Sequence, residues 1–268
     1  MDAMTSAADD ADRLVRRVLA VGALKGAALA VVLVVVGVVA DVDALPLVGV
    51  VVGVLVAVGW AFYVRRVVAG SVATALDGLG AARLADGASP RLANVVEGLC
   101  VASGVAEPEL WTVAAPTANA LALDAGGRTA LVVTDGLVSH LGLVELEGAV
   151  ANLLGRVKDG SARLATTAVA VRRLPMSSVY APDRLVAEGL GAQYAVRSDL
   201  EAVRITRYPP GLRAALERAS TAGTAVPAGA PDLAHLWLAP AADTEDGRPS
   251  VQTAAQPLDL RIAVLDEL

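Results

Sequence analysis

The chain has 268 residues, with 22 Lys and Arg against 28 Asp and Glu for a net charge of −6, and 55% of its residues are apolar. An acidic balance with no basic stripe and few aromatics excludes a nucleic-acid-binding platform, and a mean hydropathy of +0.58 exceeds what a soluble domain of this size needs. A single cysteine, Cys100, excludes a disulfide framework and agrees with a reducing compartment.

The apolar excess lies at the N-terminus. Residues 18–40 are nearly all apolar, interrupted by Lys25, and residues 44–64 carry no charge. At about 1.5 Å per residue each run reaches across a hydrocarbon core of about 30 Å. The link Asp41-Val-Asp-Ala-Leu-Pro46 folds them into a hairpin. A signal peptide is the competing reading of the first run, but the run is long for one, lacks a small-residue cleavage site and is followed at once by the second. The sequence therefore predicts a segment over 1–17, a transmembrane helical hairpin over 18–66 and a domain over 67–268. Arg13, Arg16 and Arg17 precede the hairpin and Arg65 and Arg66 follow it, whereas the link holds only Asp41 and Asp43. The positive-inside rule then predicts a two-pass protein of the cell membrane with its domain in the cytoplasm. Lys25 is placed to snorkel. Trp60, Phe62 and Tyr63 fit an interfacial aromatic belt, or a cluster packed on the domain.

Beyond the hairpin, helices are predicted over 70–84 and 90–103, the latter with Pro90 at its start. A strand follows over 109–114. Strands over 119–122 and 129–134 flank Asp124-Ala-Gly-Gly-Arg128, a hairpin signal. Residues 145–158 read as a helix. The apolar stretch 164–171 is too short to span a bilayer, so only two spans are expected. Residues 182–207 hold one long helix or two, stopped by Pro209-Pro210, and a helix resumes over 211–220. Residues 221–231 read as a loop, 233–238 as a short strand, 239–255 as a polar connection and 257–268 as an amphipathic helix. The fold class is α+β: the hairpin, then a mainly helical domain with a small sheet.

Several segments, in this order, carry a resemblance: Pro108-Glu-Leu-Trp-Thr-Val113, Asn119-Ala-Leu-Ala122, Val132-Val-Thr-Asp-Gly-Leu137, Glu145-Leu-Glu-Gly148, residues 199–212, His235-Leu-Trp-Leu238 and Gln256-Pro-Leu-Asp-Leu-Arg-Ile262. Together they resemble the HtpX-type membrane zinc metallopeptidases of the bacterial inner membrane, relatives of the CAAX prenyl proteases. The resemblance implies a zincin-like (gluzincin) domain, and in that family the helix matching 145–158 carries H-E-x-x-H. Two His one turn apart converge on one zinc, and the Glu is the general base for the metal-bound water.

In this chain the three motif positions hold Asn152, Leu153 and Arg156. An amide oxygen is a poor zinc ligand, Leu exchanges no proton, and Arg repels a cation. The resemblance places the third ligand at Ala195 and a supporting Asp at Asp199, and it matches a late Thr-His-Pro-Pro segment to Ala254-Ala-Gln-Pro257. It thus implies that the catalytic positions are degenerate, that zinc is lost with no other cofactor in its place, and that the chain is an inactive homologue, a pseudoprotease rather than an enzyme. The only two histidines, His140 and His235, have no metal-ligand spacing with Cys100 or each other. A Cys100 dyad with either His is the minor catalytic alternative. Another is a metallopeptidase with oxygen ligands drawn from Glu145, Glu147, Asp159 and Asp199, although such sites favour magnesium or calcium.

The expected partners are the lipid bilayer and another membrane protein or polypeptide segment, with no nucleic acid. An extended peptide would add to the strand Asn119, Ala120, Leu121, Ala122 by β-augmentation, unless that edge pairs within the domain. The polypeptide-binding or adaptor role stands beside that of a structural subunit of a membrane complex. Arg156 is expected to meet Asp199 across the pocket where the metal's charge would lie; the alternatives are a local pair with Asp159 or a solvated side chain.

Overall fold

A computed structural model of the chain describes residues 6–85, 87–175, 177–191, 193–223, 231–239 and 256–268. Two long helices, α1 (Ser6–Val39) and α2 (Leu45–Ala69), pack against each other as the N-terminal hairpin. Both exceed the length needed to cross a bilayer, and only 17% of the most apolar window of each is buried within the protein. Valines and leucines such as Leu24, Val35, Val39, Leu47, Val54 and Leu55 stand exposed on the hairpin. So much apolar surface needs an apolar surrounding.

The hairpin closes through small residues. A Cβ on Gly53 would lie 2.6 Å from the Gly26 carbonyl oxygen and 2.7 Å from the Ala30 Cβ. Without a hydrophobic drive between helices in lipid, this close backbone approach supplies the attraction. Trp60 adds a hydrogen bond from Nε1 to the Val18 carbonyl at 3.0 Å, with the Lys25 ammonium 5.5 Å from its ring centre. Gly53→Leu is expected to cost about 1–3 kcal/mol, as overpacking does, in detergent-titrated unfolding of the full chain. A loss below about 0.5 kcal/mol would show that the crossing does not need the glycine.

Residues 6–17 are not a separate segment. They form the first turns of α1 and are folded into the domain, with Ala7, Ala11 and Leu14 buried. These turns pack with Val18 and Val64 against Leu164, Ala168, Val171, Tyr180, Val186 and Leu190. Arg163 adds an ion pair to Asp12 at 2.7 Å.

After α3 (Ser71–Gly78) the chain forms a two-residue strand, β1 (Ala82–Arg83), where the sequence predicted helix up to 84. Gly80, at φ +62°, turns the chain out of the helix. α4 (Pro90–Ser103) follows, opened by proline and closed by Gly104 at φ +73°. Then come β2 (Glu109–Val113), β3 (Ala120–Ala125) and β4 (Arg128–Thr134). The strand order is β1-β2-β4-β3, with β2 and β4 parallel and the other pairs antiparallel. The two-residue β3–β4 turn is Gly126-Gly127, both at positive φ, as a tight hairpin requires.

β3 and β4 are buried on both faces, which explains their continuous apolar character. Ala120, Ala122, Leu131 and Val133 face Leu92, Val96, Leu146, Val150, Leu153, Leu212 and Leu216. Leu121, Leu123, Ala130 and Val132 face Val72, Leu76, Ala165, Val169 and Trp237. The first layer comes from α4, α6 (Leu143–Lys158) and α10 (Pro209–Ala222), the second from α3 and α7 (Ser161–Arg172). The short α5 (Asp135–His140) links β4 to α6.

The predicted stretch 182–207 is two helices, α8 (Pro182–Leu190) and α9 (Tyr194–Thr206), parted at Gly191 with φ +72°. Pro209-Pro210 opens α10 rather than only stopping α9, because proline is tolerated in a first turn. The strand predicted over 233–238 is mostly a 3₁₀ turn, Pro231–Leu236, with one bridge from Trp237 to Leu121. The helix α11 (Leu258–Asp266) closes the chain. The polar connection predicted over 239–255 lies outside the described residues apart from Ala239, as do 224–230 of the predicted loop.

The outcome is mostly helical, with two apolar helices at the start and a small mixed sheet.

Candidate functional site

The centre of the domain is where α6, α9, α11 and the segment 235–239 meet. α6 lies beneath the sheet because one face of Leu146, Val150, Leu153 and Leu154 joins the core. This leaves Asn152 and Arg156, one turn apart, on a buried polar face, Asn152 fully buried and Arg156 3% exposed. α9 brings Ala195 and Asp199, again one turn apart, against that face. The two helices approach closely: a Cβ on Gly155 would sit 3.3 Å from the Glu201 Cβ.

Asp199 is the hub. Its Oδ1 accepts from Asn152 Nδ2 at 2.8 Å and from Arg261 Nη2 at 2.6 Å, and its Oδ2 accepts from Arg261 Nε at 2.7 Å. The Arg261 pair is bidentate, and both residues are 1% exposed. The third guanidinium nitrogen, Nη1, donates to the Leu238 carbonyl at 2.6 Å. One arginine thus ties α11 to α9 and to Leu238 beside β3. Gln256 adds a bond from the Val196 N–H to its Oε1 at 2.9 Å.

The ion pair expected between Arg156 and Asp199 is therefore not formed: Arg261 holds the carboxylate instead. The alternatives for Arg156 differ from the structure too, because Asp159 caps the Ser161 N–H at 2.8 Å and Arg156 is buried. Arg156 Nη1 donates to the carbonyls of Leu236 at 2.9 Å and Trp237 at 3.2 Å. Its guanidinium lies 5.9 Å from the Tyr194 ring centre, and Tyr194 Oη donates to the His235 carbonyl at 2.9 Å. Burial pulls the Arg156 pKa down from its ordinary value. Sequence reasoning missed Arg261 because its partner lies 62 residues away. The available signal was an arginine in the middle of a short amphipathic helix already singled out by resemblance.

Beside Arg156 lies a small cavity bordered by Ser161, Leu190, Tyr194 and His235, of about 10 Å3, the space of one water centre. Arg156 Nε and His235 Nε2 are buried without a hydrogen-bond partner. Burial, then the positive charges of Arg172 and Arg156, hold the His235 imidazole down at about 3. At neutral pH it is an uncharged ring.

The residues present do not fit zinc at the motif positions. Asn152 offers one neutral amide oxygen, buried without a hydrogen-bond partner while its nitrogen donates to Asp199, Leu153 is core, Arg156 brings positive charge, and Ala195 has no donor. The oxygen ligands considered from sequence do not converge either. Glu145 accepts from the Gly142 N–H at 2.6 Å and pairs with Arg218 at 2.6 Å, Asp159 caps α7, and Asp199 is held by Arg261. Among the described residues no group of three or more His, Cys, Asp or Glu is placed to hold a metal ion. Cys100 is buried, with its thiol pKa raised by burial and then by Glu107, the opposite of an activated nucleophile.

The strand expected to take a peptide is already paired. Asn119, Ala120, Leu121 and Ala122 are at most 1% exposed. The outer edge of β3 receives the Leu238 N–H on the Ala120 carbonyl at 2.7 Å and the Trp237–Leu121 bridge. Asn119 grips the same segment from its side chain, Nδ2 donating to the Ala239 carbonyl at 3.0 Å and Oδ1 accepting the Ala239 N–H at 3.1 Å. Further along, Thr166 Oγ1 accepts the Asp124 N–H at 3.2 Å. The edge is occupied from within, the second of the two alternatives that the sequence leaves open.

No protein-family profile and no solved structure matches the chain. Curated relatives do. A Protease HtpX homolog of Dictyoglomus thermophilum is 30% identical over 164 residues, 49% of this chain and 54% of that protein. A second, of Tropheryma whipplei strain TW08/27, is 27% identical over 192 residues, 59% and 66% of the two chains. A third, of Listeria monocytogenes serotype 4a, is 32% identical over 84 residues, 31% and 28%. The chain spans about half the length of the first of these relatives. Their names correct the expectation that the chain is not an enzyme: they point to a protease family.

Proposed function

This chain is related to the HtpX-type proteases, and from that footing we propose that it handles polypeptide at a membrane, with the outer edge of β3 as its docking strand. The apolar hairpin and the relatives' names support membrane anchoring. The basic flanks at Arg13, Arg16, Arg17, Arg65 and Arg66 favour a cytoplasmic domain.

The observation that carries the polypeptide reading is the segment 237–239. It lies on β3 as an antiparallel bridge, held by main-chain bonds and by the Asn119 side chain. An edge that recognises an extended segment of its own chain has the geometry for β-augmentation by another. A client strand would exchange with residues 237–239 and inherit the Asn119 and Ala120 contacts. Such exchange suits an adaptor or scaffold as well as a protease.

Leu238→Pro removes the N–H that bonds Ala120 and loosens the internal strand. The variant in nanodiscs is expected to bind fluorescent unfolded casein several-fold more tightly than the parent, as read by anisotropy. Unchanged or absent binding in both proteins would reject the docking strand. The same samples, resolved for fragments, report whether binding proceeds to cleavage.

A further inference from the structure

A larger cavity, of about 510 Å3, lies where α2 leaves the hairpin and enters the domain. Its rim includes Tyr63 and Arg66 of α2, Ser71 and Thr74 of α3, and Val169 and Arg173 at the end of α7. Arg66 and Arg173 are both exposed, and neither has an ion-pair partner among the described residues. The two hydroxyls are already spent: Ser71 Oγ donates to the Val68 carbonyl at 2.8 Å and Thr74 Oγ1 to the Gly70 carbonyl at 2.9 Å. The charged donors at the rim are the two guanidinium groups, with the Tyr63 hydroxyl beside them, and these suit a phosphate. The rest of the wall, with Val67, Val169 and Ala170, is apolar.

The position says which phosphate. Phe62, one residue before Tyr63, is 72% exposed on α2, and Trp60 and Tyr63 pack with ring centres 5.9 Å apart. Aromatic residues at the end of an apolar helix mark the level of lipid head groups. A cavity there, with two unpaired cations and an apolar wall, meets both parts of a phospholipid: its phosphate and the first methylenes of its chains. We infer that this cavity binds an anionic phospholipid, its phosphate held by Arg66 and Arg173. The inference rests on the hairpin lying in a bilayer and is independent of the β3 docking strand.

The test uses the full chain in detergent, titrated with phosphatidylglycerol or phosphatidylcholine and read by native mass spectrometry. The parent is expected to retain phosphatidylglycerol in preference to phosphatidylcholine. R66Q/R173Q is expected to lose phosphatidylglycerol affinity roughly twenty-five-fold, the product of about fivefold for each interfacial cation removed. R16Q/R17Q removes equal charge outside the cavity and is expected to stay within about twofold of the parent. Circular dichroism checks that each variant is folded, and R173Q alone, expected to lose about fivefold, replaces the double variant if the latter is not. Equal loss in both double variants would reduce the effect to general surface charge and overturn the site. Retention unchanged by loss of the cavity arginines would overturn it as well. So would complete displacement of the lipid by millimolar inorganic phosphate, which would make it a site for free anion.

Discussion

Arg261→Met is expected to lower the stability of the domain by about 3–5 kcal/mol, the usual result of stripping one partner from a buried ion pair. Asp199 would be left 1% exposed with only the Asn152 amide to oppose its charge. The Leu238 carbonyl would lose its donor too, freeing the segment that runs along β3. Denaturant unfolding of the full chain in detergent, followed by tryptophan fluorescence, measures the loss. The double variant Asp199→Leu/Arg261→Met removes both charges, and most of the stability is expected to return, since apolar replacements of a buried pair are often neutral. A single-variant loss under about 1 kcal/mol, or no recovery in the double, would refute the central role given to this pair. Arg156→Met should cost less than Arg261→Met, because Arg156 leaves behind two carbonyls rather than a carboxylate.

Acid should unfold this domain through His235. Its folded pKa of about 3 lies below the ordinary value of 6.5. Between those values the unfolded chain binds a proton at this ring that the folded chain does not, so stability rises with pH across the window and falls on acidification. The slope is about 1.4 kcal/mol per pH unit, amounting to at most about 5 kcal/mol by pH 3. Full stabilisation by the neutral ring is present above pH 6.5. Asp124 and Asp159 act in the opposite sense over their own range, because burial raises both carboxyl pKa values. Comparing the parent with His235→Gln separates the contributions: the difference in unfolding free energy between pH 7 and pH 4 should shrink by a few kcal/mol in the variant. Parallel pH profiles for the two proteins would show that the ring is not buried neutral.

What was legible in the sequence was local. Pro90 and Gly104 bound α4, Gly126-Gly127 marks the tight turn, and two apolar runs announce the hairpin, because each is decided by one residue's backbone freedom or by a run of one chemistry. The motif face of α6 was also legible, since helical spacing alone puts Asn152 and Arg156 together. Choices among distant partners were not. Arg156 and Arg261 are equally suited to Asp199 by chemistry, and only the packing of α11 decides between them. Whether the edge of β3 is paired was not legible, because the segment that covers it is a 3₁₀ turn with one bridge, too short to show strand periodicity. The entry of α1 into the domain was hidden by charge: residues 6–17 read as a polar tail, yet Ala7, Ala11, Leu14 and Val18 recur every three or four positions along one stripe.

That stripe has a mechanical consequence. α1 runs unbroken for 34 residues, its first turns clamped on α7 and α8 and its later turns forming half of the hairpin. A helix of that length is a strut of about 51 Å with no joint in it. The domain thus has no swivel at the bilayer surface. A lean of the hairpin, set by how thick the surrounding lipid is, turns the domain through the same angle, with α1 as the lever.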